Sequence, residues 1–192
     1  MLSDFVEKAK GFLMQPTETF QKYKGEELGP ALTYYVILVV IFALLTGILA
    51  LAGISGMYGG FGGLGAGIVG IIVMIIVLII VMVIFAFIDA IFYHLGAKVV
   101  GGQKPYNETL KALLYASTPA LLLGWIPFVQ FIGAIWSLVL LVIGIREMQE
   151  ISTGRAIVAI IVGMIIVVII AMIIGLVVGV AIFSLISGSG MY

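Results

Sequence analysis

AGIVGIIVMIIVLIIVMVIFAFIDAIFYHLGAKVVGGQK, residues 66–104, decides the fold. It is uncharged from Ala66 up to Asp89, and Lys98 and Lys104 are its first bases. A helix crosses the roughly 30 Å hydrocarbon layer with about 20 residues, so this run is long enough to span, and the lysines mark where it leaves the lipid. The pattern repeats outward in both directions. Upstream, the uncharged, glycine-rich Ser55–Gly65 separates it from an apolar run over Ala31–Gly53, which follows Lys8, Lys10, Lys22 and Lys24. Downstream, Glu108–Gly124 and Phe128–Arg146 are joined only by Trp125-Ile126-Pro127, the spacing of a tight helical hairpin. Arg146 and Arg155 bracket the next break, where Ser152 or Thr153 can cap a helix, and a last uncharged run goes from Ala156 to the Ser187–Gly190 tail.

The nine basic residues thus fall into three groups, before the first run and around the breaks after the second and fourth, with Lys111 in the second group. Basic connections stay on the cytoplasmic side of a multispanning protein. The expectation is an all-α polytopic membrane protein: a cytoplasmic segment over 1–30, then one membrane domain over 31–192. Its five-helix transmembrane bundle has spans at about 31–53, 66–95, 108–124, 128–146 and 155–187, the N-terminus cytoplasmic and the C-terminus outside. Tyr34, Tyr35, Tyr93 and Tyr106 suit the inner interface and Tyr58, Trp125 and Tyr192 the outer one, while Trp136 should face the bundle. At about 1.5 Å per residue the second and fifth segments outrun the bilayer and must tilt or project.

Composition agrees, with 64% hydrophobic and only 9% charged residues, outside the range of a soluble globular domain. Zero net charge and three separated basic groups give no nucleic-acid face. Without cysteine there is no disulfide, thiolate metal site or Cys nucleophile. Ser3–Met14 mixes Asp4, Glu7, Lys8 and Lys10 with apolar residues, so no cleavable signal is expected. Leu2, Phe5, Val6, Ala9, Phe12 and Leu13 recur at helical spacing with the charges opposite, which predicts an amphipathic interfacial helix on the inner membrane surface. Gln15-Pro16-Thr17 should break it, and Gly25 and Gly29-Pro30 should end a second short helix over Glu18–Lys24.

Candidate sites are few. Gly65-Ala66-Gly67-Ile68-Val69-Gly70 has G-x-G-x-x-G spacing but lacks the strand a dinucleotide site needs, so the glycines there read as helix-packing positions, as do Gly175 and Gly179, whose G-x-x-x-G spacing suits packing within the chain first and self-association second. Asp89 is the one acid inside a long apolar run; pairing with Tyr93, Lys98 or Lys111 is favoured over ion transport. His94 lies about 140° round the helix from Asp89, so the two make no metal site unaided. No catalytic triad, H-E-x-x-H motif or convergent carboxylate pair exists, and Glu26-Glu27, Glu147 and Glu150 read as solvated loop charges, the last two balancing Arg146 and Arg155. Pro119 should kink the third span near Tyr115 and free a carbonyl there.

Together, Gln15-Pro16-Thr17-Glu18-Thr19-Phe20, Glu27-Leu28-Gly29-Pro30, Gly101–Tyr106 running into Leu110–Pro119, Ile135-Trp136-Ser137, Gly144-Ile145-Arg146-Glu147 and Ile151–Ala156 resemble the Yip family of Ypt-interacting membrane proteins. The likeness covers almost the whole chain, and its specificity comes from the order of these short motifs. It implies five transmembrane helices with a cytoplasmic N-terminus. For eukaryotic members it implies roles in secretory trafficking, binding of prenylated Rab-type GTPases and of one another, and membrane shaping. This chain lacks their long polar N-terminal region, and its Glu27-Leu28-Gly29-Pro30 is one residue shorter than their Asp-Leu-Tyr-Gly-Pro, so it looks like a prokaryotic member in the plasma membrane. Carried over by position, the resemblance marks Glu27, Gly29, Pro30, Tyr115 and Pro119. The expected role is non-enzymatic, without cofactor or metal: membrane organisation or an adaptor function at the cytoplasmic face, with membrane lipids, a protein partner or a second copy as partners. The rival is a transporter or channel with a polar path through Asp89, Tyr93, His94 and the Pro119 kink, and a weaker third is a homo-oligomer that bends the bilayer.

Overall fold

The computed structural model describes residues 2–51 and 67–188, with side chains described over 4–50 and 68–180. Tyr58, Tyr192, the Ser55–Gly65 connection and the end of the Ser187–Gly190 tail lie outside the described residues, as do Gly65 and Ala66 of the G-x-G-x-x-G run. Every described element is helical: α1 Leu2–Met14, α2 Pro16–Tyr23, α3 Leu28–Leu51, α4 Gly67–Val99, α5 Tyr106–Ala116, α6 Thr118–Leu123, α7 Val129–Gln149 and α8 Thr153–Gly188. Gly67–Gly70 form the opening of α4, with no strand before them among the described residues.

Four of these helices, α3, α4, α7 and α8, are long and apolar enough to cross a membrane. The third expected span is not one helix. It divides into α5 and α6 at Ser117, because Pro119 has no N–H for the Tyr115 carbonyl and the ladder cannot run through. Neither piece alone meets the length of a span. Gly29-Pro30 does not end a helix either; Pro30 sits in the first turn of α3, where a missing donor costs nothing. The end of α4 is set by Gly101 at φ 89°, with Gly102 N–H on the Ala97 carbonyl (2.8 Å) and Gly101 N–H on that of Lys98 (3.1 Å), the paired bonds of a Schellman cap that a β-carbon would strain.

α1 and α2 fold back on each other and lie over one end of the bundle, α2 on α7 and α1 on α6. Fully buried Phe12, Phe20, Leu38, Leu110, Leu114, Tyr115, Leu140, Ile145 and Met148 come from α1, α2, α3, α5 and α7 and form one core at that end. Gly144 makes the seat for Phe20, since a β-carbon there would stand 2.8 Å from Phe20 Cζ. The α4–α8 crossing is as tight: a β-carbon on Gly96 would come within 1.9 Å of the Ala159 carbonyl oxygen. Away from this end α4 and α8 are bare. Only 6% of the most apolar stretch of α4 is buried, against 44% in α3, and Ile68, Ile72, Ile76, Met172, Leu176 and Val180 are exposed. So much apolar surface is stable only against hydrocarbon.

Two expectations about packing need correction. Gly175 and Gly179 approach no other described element, so they are not packing positions within the chain as described. Trp136 is on the outside of α7 and does not face the bundle. The apolar face of α1 is covered by protein at Phe5, Ala9 and Phe12, with Phe12 stacked on Tyr115 at 4.6 Å and Phe5 5.3 Å from Tyr34, while Val6 stays exposed.

Candidate functional site

The carbonyl freed by Pro119 organises the surroundings of Tyr115. Thr118 Oγ1 donates to the Tyr115 carbonyl (2.6 Å), replacing the bond that proline cannot make. Its hydrogen is then committed, so the Tyr34 hydroxyl, 2.9 Å away and buried, donates to Thr118 Oγ1. The ring of Tyr115, fully buried, is enclosed by Phe12 of α1, Phe20 and Tyr23 of α2 and Tyr34 of α3.

Polar groups converge on the hydroxyl end of that ring. Tyr115 donates to Glu26 Oε2, and Lys8 Nζ donates to both carboxylate oxygens of Glu26, at 2.7 and 3.0 Å. Lys8 is only 3% exposed, and its ammonium lies 4.4 Å from the centre of the Tyr23 ring and 5.8 Å from that of Tyr115. One turn before Tyr115 on α5, Lys111 is equally buried; it donates to the Lys24 and Glu26 carbonyls at 3.0 and 2.8 Å and pairs with Glu108 at 2.9 Å. Lys111 therefore holds the 24–26 turn against α5, and that turn presents the Glu26 carboxylate to Lys8 and Tyr115. A burial of this depth is tolerable for two ammonium groups because Lys8 has the Glu26 carboxylate and two aromatic faces, and Lys111 has Glu108 and two carbonyls.

Around this centre the three basic groups of the sequence meet. Glu150 accepts from Lys24 at 2.6 Å and from Lys104 at 2.8 Å, joining the end of α2, the α4–α5 turn and the end of α7. It does not balance Arg155, as the sequence suggested. Arg146 pairs with Glu147 and reaches Thr17 Oγ1 at 3.4 Å, while Gln21 donates to Glu147 at 3.2 Å. The Lys104 ammonium, and after it Lys24, hold the Glu150 carboxyl down to about 2 from the usual 4.5. A depressed carboxylate stabilises the fold above its unfolded pKa and loses that contribution as pH falls toward the folded value. Spin labels at Lys22 and Gln103 should accordingly hold a constant separation at neutral pH and move apart as pH drops from about 4.5 to about 2. No change across that interval would show that the clamp carries no load.

Of the residues singled out from sequence, Tyr115 and Pro119 belong to this centre. Pro30 lies on its rim, lining a cleft of about 390 Å³ beside Lys8, Glu26 and Tyr34. Glu27 and Gly29 are exposed and outside it; the carboxylate that works is Glu26, one residue earlier. Asp89, Tyr93 and His94 lie elsewhere, on α4, and no hydrogen bond or ion pair among the described residues joins them to one another or to Pro119. Asp89 is half-buried and pairs with neither Lys98, which donates to the Lys104 carbonyl, nor Lys111. His94 Nδ1 is 2.9 Å from Thr109 Oγ1, which also accepts from buried Gln149 at 2.9 Å, a bridge between α4, α5 and α7. The described residues hold no group of three or more His, Cys, Asp or Glu placed to share a metal ion.

Sequence reasoning missed Lys8, Lys111, Tyr34 and Thr118 as members of this centre, and took Glu26 only together with Glu27, as an exposed acidic edge for docking at the cytoplasmic face. Two were visible in the spacing. Lys8 stands three residues after Phe5 and four before Phe12, on the apolar face and not opposite it, and Lys111 is one turn before Tyr115. Nothing in the sequence separates Glu26 from Glu27, because the choice depends on where α2 delivers the turn.

A family model described as Yip1 domain matches residues 10–175, most of the chain and every element from α2 to α7. Neither a curated protein nor a solved structure matches.

Proposed function

The chain belongs to the Yip1 domain family and is an integral membrane protein, and from that premise we propose that it crosses the membrane five times and acts without catalysis, through protein or lipid contacts at its cytoplasmic face. The observation that carries this reading is the convergence of the three basic groups at one end of the bundle, through Lys24, Lys104 and Glu150 and through Arg146 and Thr17. If that end is cytoplasmic, α3 leaves it and α4 returns, α5 and α6 together leave and α7 returns, and α8 leaves for the last time. The broken α5–α6 pair then serves as a crossing whose midpoint is completed by Thr118 and Ser137, the latter accepting from Ala120 N–H at 2.9 Å. Positive charge confined to one face supports a cytoplasmic orientation for that face.

The α1–α2 hairpin is the working surface in this reading. It covers the buried Lys8–Glu26–Tyr115 centre on one side and offers Lys10, Glu18 and exposed Val6 and Met14 on the other. Recovery of bound proteins and lipids from native membranes, before and after deleting residues 1–24, tests it. The reading expects the deletion to remove specific partners or lipids while the membrane domain stays inserted; an unchanged set counts against it.

Asp89 favours a second reading. An acid half-exposed within a span and without a bonded partner among the described residues is a mark of a solute or ion path. Flux into proteoliposomes that Asp89→Asn abolishes would establish transport, and absence of flux leaves the contact role.

A further inference from the structure

We propose that Tyr23, Tyr115 and Glu26 form a receptor for a primary ammonium head group, that of an ethanolamine lipid, and that Lys8 is a built-in ligand occupying it when α1 is docked. The proposal rests on the reading above, since it needs the α1 end of the bundle at a lipid surface.

The geometry already shows what the box accepts. A carboxylate receives two N–H bonds from one ammonium while aromatic faces approach it at 4.4 and 5.8 Å, which is how proteins recognise cationic head groups. The Glu26 carboxylate is also oriented, because Tyr115 donates to one of its oxygens and Lys111 fixes its backbone. The ammonium that fills the box arrives from α1, an element held by Phe5, Ala9 and Phe12 rather than by continuity with the bundle. A box built only for stability would be simpler as an apolar contact, for a buried ion pair rarely outdoes one.

The cleft beside the box indicates the source of a competing ammonium. Glu26 and Tyr34 line it together with Pro30 and Ile37, both on the α3 span, and Ile37 is an exposed apolar side chain there. A lipid whose first acyl carbons lie along Ile37 therefore has its head group beside Glu26. Asp4, on the same cleft, adds negative charge, which disfavours an anionic head group. Glu26 bonds through N–H donors, so the box prefers ethanolamine, with three, over choline, with none.

The test compares the full chain in nanodiscs of phosphatidylcholine with and without phosphatidylethanolamine or phosphatidylglycerol. Competition with Lys8 frees α1, so amide exchange over residues 2–14 should be about tenfold faster with the ethanolamine lipid only, as expected for one desolvated cation–aromatic contact. Equal exchange in all three overturns the proposal. By native mass spectrometry, Lys8→Ala should retain the ethanolamine lipid over the choline lipid, and Lys8→Ala with Glu26→Gln should not. Retention without preference, or preference that survives the loss of the carboxylate, also overturns it. Soluble phosphoethanolamine producing the same exchange change as the lipid would overturn the membrane source. None of these failures would alter the side on which Lys22 and Lys104 are found, so the five-crossing reading stands or falls separately. Should Lys8→Ala not fold, the exchange comparison on the unaltered chain decides alone.

Discussion

Glu26→Ala should lower stability by about 3 kcal/mol, the toll of a buried ion pair broken from one side. The physical cause is Lys8: at 3% exposure its ammonium has no water to replace the lost carboxylate, and Tyr115 loses its acceptor in the same step. The partial exposure of Glu26, 22%, places the effect toward the low end for buried pairs. Lys8→Met in the Glu26→Ala background removes the stranded charge and should restore most of the loss, because methionine keeps most of the apolar stem of this buried lysine. Thermal or denaturant unfolding in detergent of the four proteins of the cycle measures both. A loss below about 1 kcal/mol, or no recovery in the double variant, would mean that Lys8 escapes to solvent and that the pair is an ordinary surface contact.

Phe12→Ala should detach α1. The Phe12 side chain is fully buried, stacked on Tyr115 at 4.6 Å and edge-on to Phe20 at 4.9 Å, so its removal leaves a void that the rigid bundle end cannot close, at a cost of about 3–5 kcal/mol. That cost is comparable to what holds one short helix, so the expected result is local: residues 2–14 become open to protease and exchange quickly, while α3 to α8 keep their protection. Val6→Ala, on the exposed face of the same helix, should change neither readout. Equal protection of α1 in the Phe12→Ala protein would show that ion pairs hold the hairpin in place without the aromatic stack.

The long helices were legible because they need only one property, an unbroken apolar run, and α3, α4, α7 and α8 each fall within a few residues of their expected bounds. The broken third span was half legible. Pro119 announces a break, but that the chain resumes as α6 after Ser117 depends on Thr118 supplying the missing bond, a tertiary detail. Aromatic and charged residues were read worst. Lysine is rarely buried, which points Lys8 to the wet face of α1, whereas its position relative to Phe5 and Phe12 puts it inside. Glu26 and Glu27 are chemically equivalent in sequence, and only Lys111 grasping the Lys24 and Glu26 carbonyls selects which carboxylate turns inward. Asp89 illustrates the opposite error: spacing offered it three partners, yet Lys98 and Lys111 find backbone and Glu108 instead.

Sidedness is the claim everything else depends on, and it is directly measurable. The chain contains no cysteine, so single Lys22→Cys and Lys104→Cys substitutions introduce one reactive thiol each, at side chains that are 58% and 40% exposed in the native protein. A membrane-impermeant maleimide applied to oriented vesicles should reach both from the cytoplasmic side and neither from the other. Labelling of the two positions from opposite sides would contradict the convergence of the basic segments and, with it, the five-crossing account.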